Sequence, residues 1–177
     1  RFLLPVVESV PPDTLVFQGP LIFNRTCFNG ILDASNLYFL DRVEAKEAIF
    51  TQLAQWQSAK FAENVSFKAS QFQQESSFRS ALYGGRSRFN QSRFNGESNW
   101  RGATFGGTAS FADADFQAVT FERSHWQNKA DFERASFHKP ASFQKSRFDQ
   151  ALFLTAASLA DAVSFRQAQF QQSISLR

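Results

Sequence analysis

Aromatic residues recur along the chain at steps of five and six, and a small or aliphatic residue stands two positions before each of them. The stretch from Phe105 to Phe121 shows the rule: the centres Phe105, Phe111, Phe116 and Phe121 follow Ala103, Ala109, Ala114 and Val119. A period near five is not the alternation of a half-buried strand. A paired step of eleven would suit a right-handed coiled coil. The units, however, are rich in Phe, Ser, Thr and Asn, and Gly84, Gly85, Gly106, Gly107 and Pro140 interrupt them, which disfavours a continuous helix. Short extended pieces joined by tight corners remain, and that is a solenoid.

Taking every fourth centre sorts the pattern into four columns. Column one is Phe17, Phe39, Phe61, Tyr83, Phe105, Trp126, Phe148 and Phe170. Column two is Phe23, Ala45, Phe67, Phe89, Phe111, Phe132, Phe153 and Leu176. Column three is Phe28, Phe50, Phe72, Phe94, Phe116, Phe137 and Leu159; column four is Ala34, Trp56, Phe78, Trp100, Phe121, Phe143 and Phe165. From Val65 onward the position two before each centre carries no charge and no Asn or Gln. Two inward positions per unit predict a core of aromatic ladders in about 7.5 coils, roughly 36 Å long at a strand spacing of about 4.8 Å. The steps Phe116 to Phe121 and Phe148 to Phe153 read as plain fives, and the first predicts a tighter corner.

Units such as Ala-Ser-Phe111-Ala-Asp, Ala-Asp-Phe116-Gln-Ala and Ala-Ser-Phe137-His-Lys resemble the pentapeptide-repeat family, in its Phe-centred branch with alternating spacing. The resemblance implies an all-β fold: a right-handed quadrilateral parallel β-helix with four units per coil. Residues 15–177 are then a single β-helix, and residues 1–14, which hold Pro5, Pro11 and Pro12, an extended segment covering the first coil. Residues 41–57 have high helix propensity and read either as a helical insertion or as coil. The unbroken register through Ala48, Phe50, Ala54 and Trp56 favours coil.

Composition sharpens this picture. The chain of 177 residues holds 23 Phe but only 2 Tyr, so one aromatic carries most of the core. The net charge of +3 excludes a strongly acidic rod. Some pentapeptide-repeat proteins mimic duplex DNA and protect gyrase from quinolones. That alternative needs such a rod and is disfavoured here. Cys27 is alone, so it forms no internal disulfide. The start at Arg1 without Met fits processing, or excision from a longer membrane-linked or exported protein.

No nucleotide-binding or nucleophile motif is present. His125 and His138 flank the centres Trp126 and Phe137 and read as solvated surface residues rather than metal ligands. Asp113 and Asp115 stand on a flat face without a cleft, which disfavours catalysis. No cofactor, metal, small-molecule substrate or enzymatic activity is expected.

The surface signal is arginine. Arg79, Arg86, Arg88, Arg93 and Arg101 crowd into one short stretch, and Arg79, Arg101, Arg123, Lys145 and Arg166 follow column-four centres as a basic edge broken by Glu122. The leading reading is a rigid rod presenting flat faces to a protein partner. A binder of anionic surfaces, membrane or nucleic acid, through that edge is the alternative. The uncapped last coil offers a surface for an end-to-end homodimer.

Overall fold

The computed structural model describes residues 14–176, so the expected N-terminal segment, apart from Thr14, lies outside the described residues. The described chain forms 28 short strands and no helix. All pairings are parallel, and each strand pairs with its equivalents one coil before and one coil after. Val16 and Phe17 pair with Tyr38 and Phe39, and the same step repeats to Gln169 and Phe170. Columns one and two form separate eight-stranded sheets, while columns three and four merge into a twelve-stranded one. Each column is one face of a four-sided β-solenoid. Residues 41–57 carry strands Val43–Glu44, Ile49–Phe50 and Ala54–Gln55 in register with their neighbours.

The corners are of two kinds. Every five-residue step after columns two and four is a type II turn. In the turn at Phe67, the Ser70 N–H donates to the Phe67 carbonyl, and the residue between them in the third position, Ala69, has φ 57°. Fourteen residues occupy this left-handed position, from Arg25 to Gln167, and only Gly102 among them is glycine. Type II turns ordinarily want Gly or Asn there, and other residues cost roughly 1–2 kcal/mol. Stacking offsets that cost, because each turn hydrogen-bonds to the turn in the next coil. Serines two before a centre add to this: Ser70, Ser92 and Ser146 Oγ donate to the carbonyls of Ala45, Phe67 and Phe121, which open the turns one coil below.

Inside, column one is a stack of eight rings from Phe17 to Phe170, with successive centroids 4.0–5.7 Å apart. Columns two and four meet edge to face across the core: Phe89 against Trp100 at 83°, Phe132 against Phe143 at 90°. Such contacts add about 0.5–1.5 kcal/mol per pair beyond burial. The ladder residues Phe61, Phe72, Phe94 and Phe116 are 0–1 % exposed.

One detail differs from the sequence reading: Phe153 is not a centre. Asp131 pairs with Phe153 and Ala130 with Leu152, so Leu152 and Leu154 point inward and Phe153 faces out, its ring 4.2 Å from Lys129 Nζ. A one-residue shift would reverse every side chain of that unit. Turning two leucines inward keeps the six-residue step and buries more apolar surface than Phe153 with Ala151. The shortened step from Phe116 to Phe121 still turns the corner, because Phe116, Val119 and Phe121 are all buried. Strand Asp115–Thr120 continues through it beside strand Arg93–Asn99, and a bulge between Phe94 and Glu97 takes up the difference of one residue.

Candidate interaction edge

The basic residues after column four lie along the corner between faces four and one, but in two rows. Arg79, Arg101 and Arg166 share a row with Glu122 and Gln144. Arg123 and Lys145 occupy the next row, at the left-handed turn position, where each has φ 57°. Backbone hydrogen bonds fix this register: Ser80 N–H donates to the Arg101 carbonyl, Gly102 to Glu122, Arg123 to Gln144 and Lys145 to Arg166. The missing residue before Phe121 does not disturb it. All five cationic side chains are exposed.

The polar side chains of face four hold these turns in place. Asp33, Asn99, Thr120, Ser142 and Ser164 each accept a hydrogen bond from the backbone N–H two residues on, at 2.9–3.5 Å. Ser, Thr, Asn and Asp form such local bonds readily. The flat polar ladder on this face is therefore partly spent on its own backbone. Glu122 breaks the basic row: its carboxylate lies 3.9 Å from Arg101 and accepts a hydrogen bond from Ser142 Oγ at 3.1 Å.

Arg86, Arg88 and Arg93 do not join this edge. Arg86 stands at the corner between faces one and two, Arg88 on face two beside Ser66 and Ser110, and Arg93 on face three between Gln71 and Asp115. One coil is about as long as the arginine-rich stretch, so neighbours in sequence become a ring around the rod. Only residues one coil apart form a stripe.

The histidines and the acidic pair have separate partners. His125 Nε2 lies 2.7 Å from Asp149, whose other oxygen accepts from Arg147 at 2.6 Å. Burial pushes the Asp149 carboxyl up, but Arg147 and His125 outweigh that and hold it below its ordinary value. His138 lies 3.0 Å from Asp115. Asp113 accepts two bonds from Arg134, at 2.6 and 2.9 Å, which hold its carboxyl low. No group of three metal-ligating side chains occurs among the described residues. Cys27 is exposed, and its thiol donates to Asn29 at 3.1 Å.

Residues 84–125 match the family model for pentapeptide repeats in nine copies. The same inward positions, turns and parallel register continue on both sides of that segment, so the described residues form one parallel β-solenoid in which this repeat segment is the middle. Among solved structures it is similar to two trypsin-treated forms of QnrB1, a plasmid-mediated fluoroquinolone resistance protein. One is 17 % identical with a TM-score of 0.36, covering 89 % of this chain and 90 % of that one. The other is 14 % identical with a TM-score of 0.28, covering 89 % and 91 %. No curated protein matches by sequence.

Proposed function

We propose that the chain is a protein-interaction module, a rigid rod that presents its faces to a partner protein and carries out no chemistry of its own. The observation behind this reading is the separation of roles by position. Aromatic columns and turns account for the inward residues, and the exposed cations Arg79, Arg123, Lys145 and Arg166 at one corner have no carboxylate within ion-pairing distance among the described residues. Charges left unpaired on a preorganised edge suit electrostatic recognition and steering. The basic edge also argues against duplex-DNA mimicry.

Photo-crosslinkers placed singly at Arg79, Arg88 and Arg93 test this. The expected outcome is capture of one discrete protein from the source cell at Arg79 and not at Arg88 or Arg93. Equal capture everywhere, or none, would remove the reading.

The same unpaired cations favour one second reading, contact with an anionic surface. Binding to anionic vesicles or duplex DNA that weakens steeply with salt would select it. An end-to-end homodimer remains a proposal for the last described coil, where Leu159, Ile174 and Leu176 are exposed. A mass by light scattering that stays monomeric at high concentration would eliminate it.

A further inference from the structure

The corner between faces three and four, on the opposite side of face four from the arginines, carries shallow, open depressions in the first four coils. A groove of about 430 Å³ runs from Ile31 past Leu53 and Gln74 to Glu75. A second depression, of about 210 Å³, shares Leu53 and Glu75 and continues to Glu97 and Asn99. The groove ends at the bulge, where strands Arg93–Asn99 and Asp115–Thr120 pair through the corner.

The two halves of the groove differ in chemistry. Ile31 is 64 % exposed and offers an apolar wall beside Leu53. Glu75 and Glu97 form the other half. Ser76 pairs with Ser98, so the two glutamates stand one coil apart in the same row. Like charges at adjacent strand positions repel. Neither has an ion-pair partner among the described residues. A cation placed between them would relieve that repulsion.

We infer that this groove seats an extended segment of a partner protein in which apolar side chains are followed by Lys or Arg. The inference rests on the interaction-module reading and adds the chemistry of the partner. From Ile31 to Glu97 is three coil steps, roughly 14 Å, which an extended chain crosses in about four or five residues. The apolar half favours a peptide over a free cation. The adjoining face four then lies between an acidic wall and the arginine edge, so a partner draped over it meets both signs of charge.

The test uses the full chain, isotopically labelled, titrated with the blocked peptides Ile-Ser-Val-Lys-Lys and Ile-Ser-Val-Glu-Glu. Saturable amide shifts at Leu53, Glu75 and Glu97 are expected with the lysine peptide, which should bind about tenfold more tightly than its glutamate counterpart, as for two exposed ion pairs. Glu75→Gln combined with Glu97→Gln should lose about that factor while unfolding at an unchanged temperature. Ile31→Ser should weaken binding without altering the preference for lysine. Equal binding by the double variant, shifts centred on another face, or no binding at millimolar peptide would overturn the proposal. So would shifts produced by raising the protein concentration alone, which would assign the groove to a second copy. If the peptide fails while the crosslinker at Arg79 captures a partner, the module reading stands and only the groove assignment falls.

Discussion

Tyr83 sits in column one between Phe61 and Phe105, with ring centroids 5.1 and 4.9 Å away, and its fully buried hydroxyl has no hydrogen-bond partner among the described residues. Burial pushes its ionisation well above the ordinary range. Trp126 shows the contrast: its Nε1 donates to Ser124, two residues before it, at 2.7 Å. Tyr83 has Ala81 at that position. Leaving a buried polar group unpaired costs about 1–3 kcal/mol, so Tyr83→Phe should raise stability by about 1 kcal/mol or more in chemical denaturation. A loss of stability would mean that the hydroxyl has a partner after all. Asp149 makes the opposite kind of prediction. Its folded value is depressed, so its contribution is present above the ordinary carboxylate value near pH 4 and is lost as pH falls through the folded value. Asp149→Asn should be less stable at pH 7 by no more than about 1 kcal/mol, the scale of a solvent-screened pair. That gap should close in melts near pH 2; a gap that stays constant with pH would show that packing, not charge, is at stake.

At the scale of the corners, Gly30, Gln52, Gln74 and Gly96 occupy the same place in successive coils, two residues after a column-three centre. A Cβ on Gly96 would fall 2.4 Å from the Gln74 carbonyl carbon, whereas one on Gly30 meets nothing within 4 Å. Gly96→Ala should therefore cost about 1–3 kcal/mol, the scale of forced overpacking, and disturb the bulge beside it. Gly30→Ala should stay within about 0.5 kcal/mol. Matched denaturation curves decide this, and equal effects would rule out the close backbone approach. These corners also mark the limits of the sequence. The four columns were legible because the bulky inward residue repeats at a fixed interval and almost nothing else in the chain is aromatic. Leu154 was missed because Phe153 is the stronger aromatic signal and apolar residues flank it on both sides. The left-handed turns were missed because Arg25, Glu47, Ala69 and Gln91 do not advertise a positive φ; register with the neighbouring coil fixes them there. The five cations after column four fall at one corner, though in two rows rather than one. The scatter of Arg86, Arg88 and Arg93, and the groove above Glu75, depend on wrapping and on the bulge, which spacing alone does not reveal.

The whole rod behaves as a stack in which each coil contacts only its neighbours, so its stability is close to a sum of coil and interface terms. Phe94 stacks on Phe72 and Phe116, both at 4.9 Å, and touches Trp100 edge to face. Phe94→Ala should cost about 3–5 kcal/mol. Phe170 is half-buried and stacks on Phe148 alone within its column, so Phe170→Ala should cost markedly less. The location of each loss matters more than its size. Hydrogen exchange on the native protein should show fraying from the exposed first and last coils and the slowest amides between Phe67 and Phe121. The end substitution should speed exchange only in the last coils. The central one removes the interface that couples the two halves, so exchange should rise on both sides of Phe94 while each end keeps its own order of opening. If Phe94→Ala instead speeds every protected amide equally, the molecule unfolds as one cooperative unit. The rigidity attributed to the rod would then belong to the whole core rather than to its nearest-neighbour stacks.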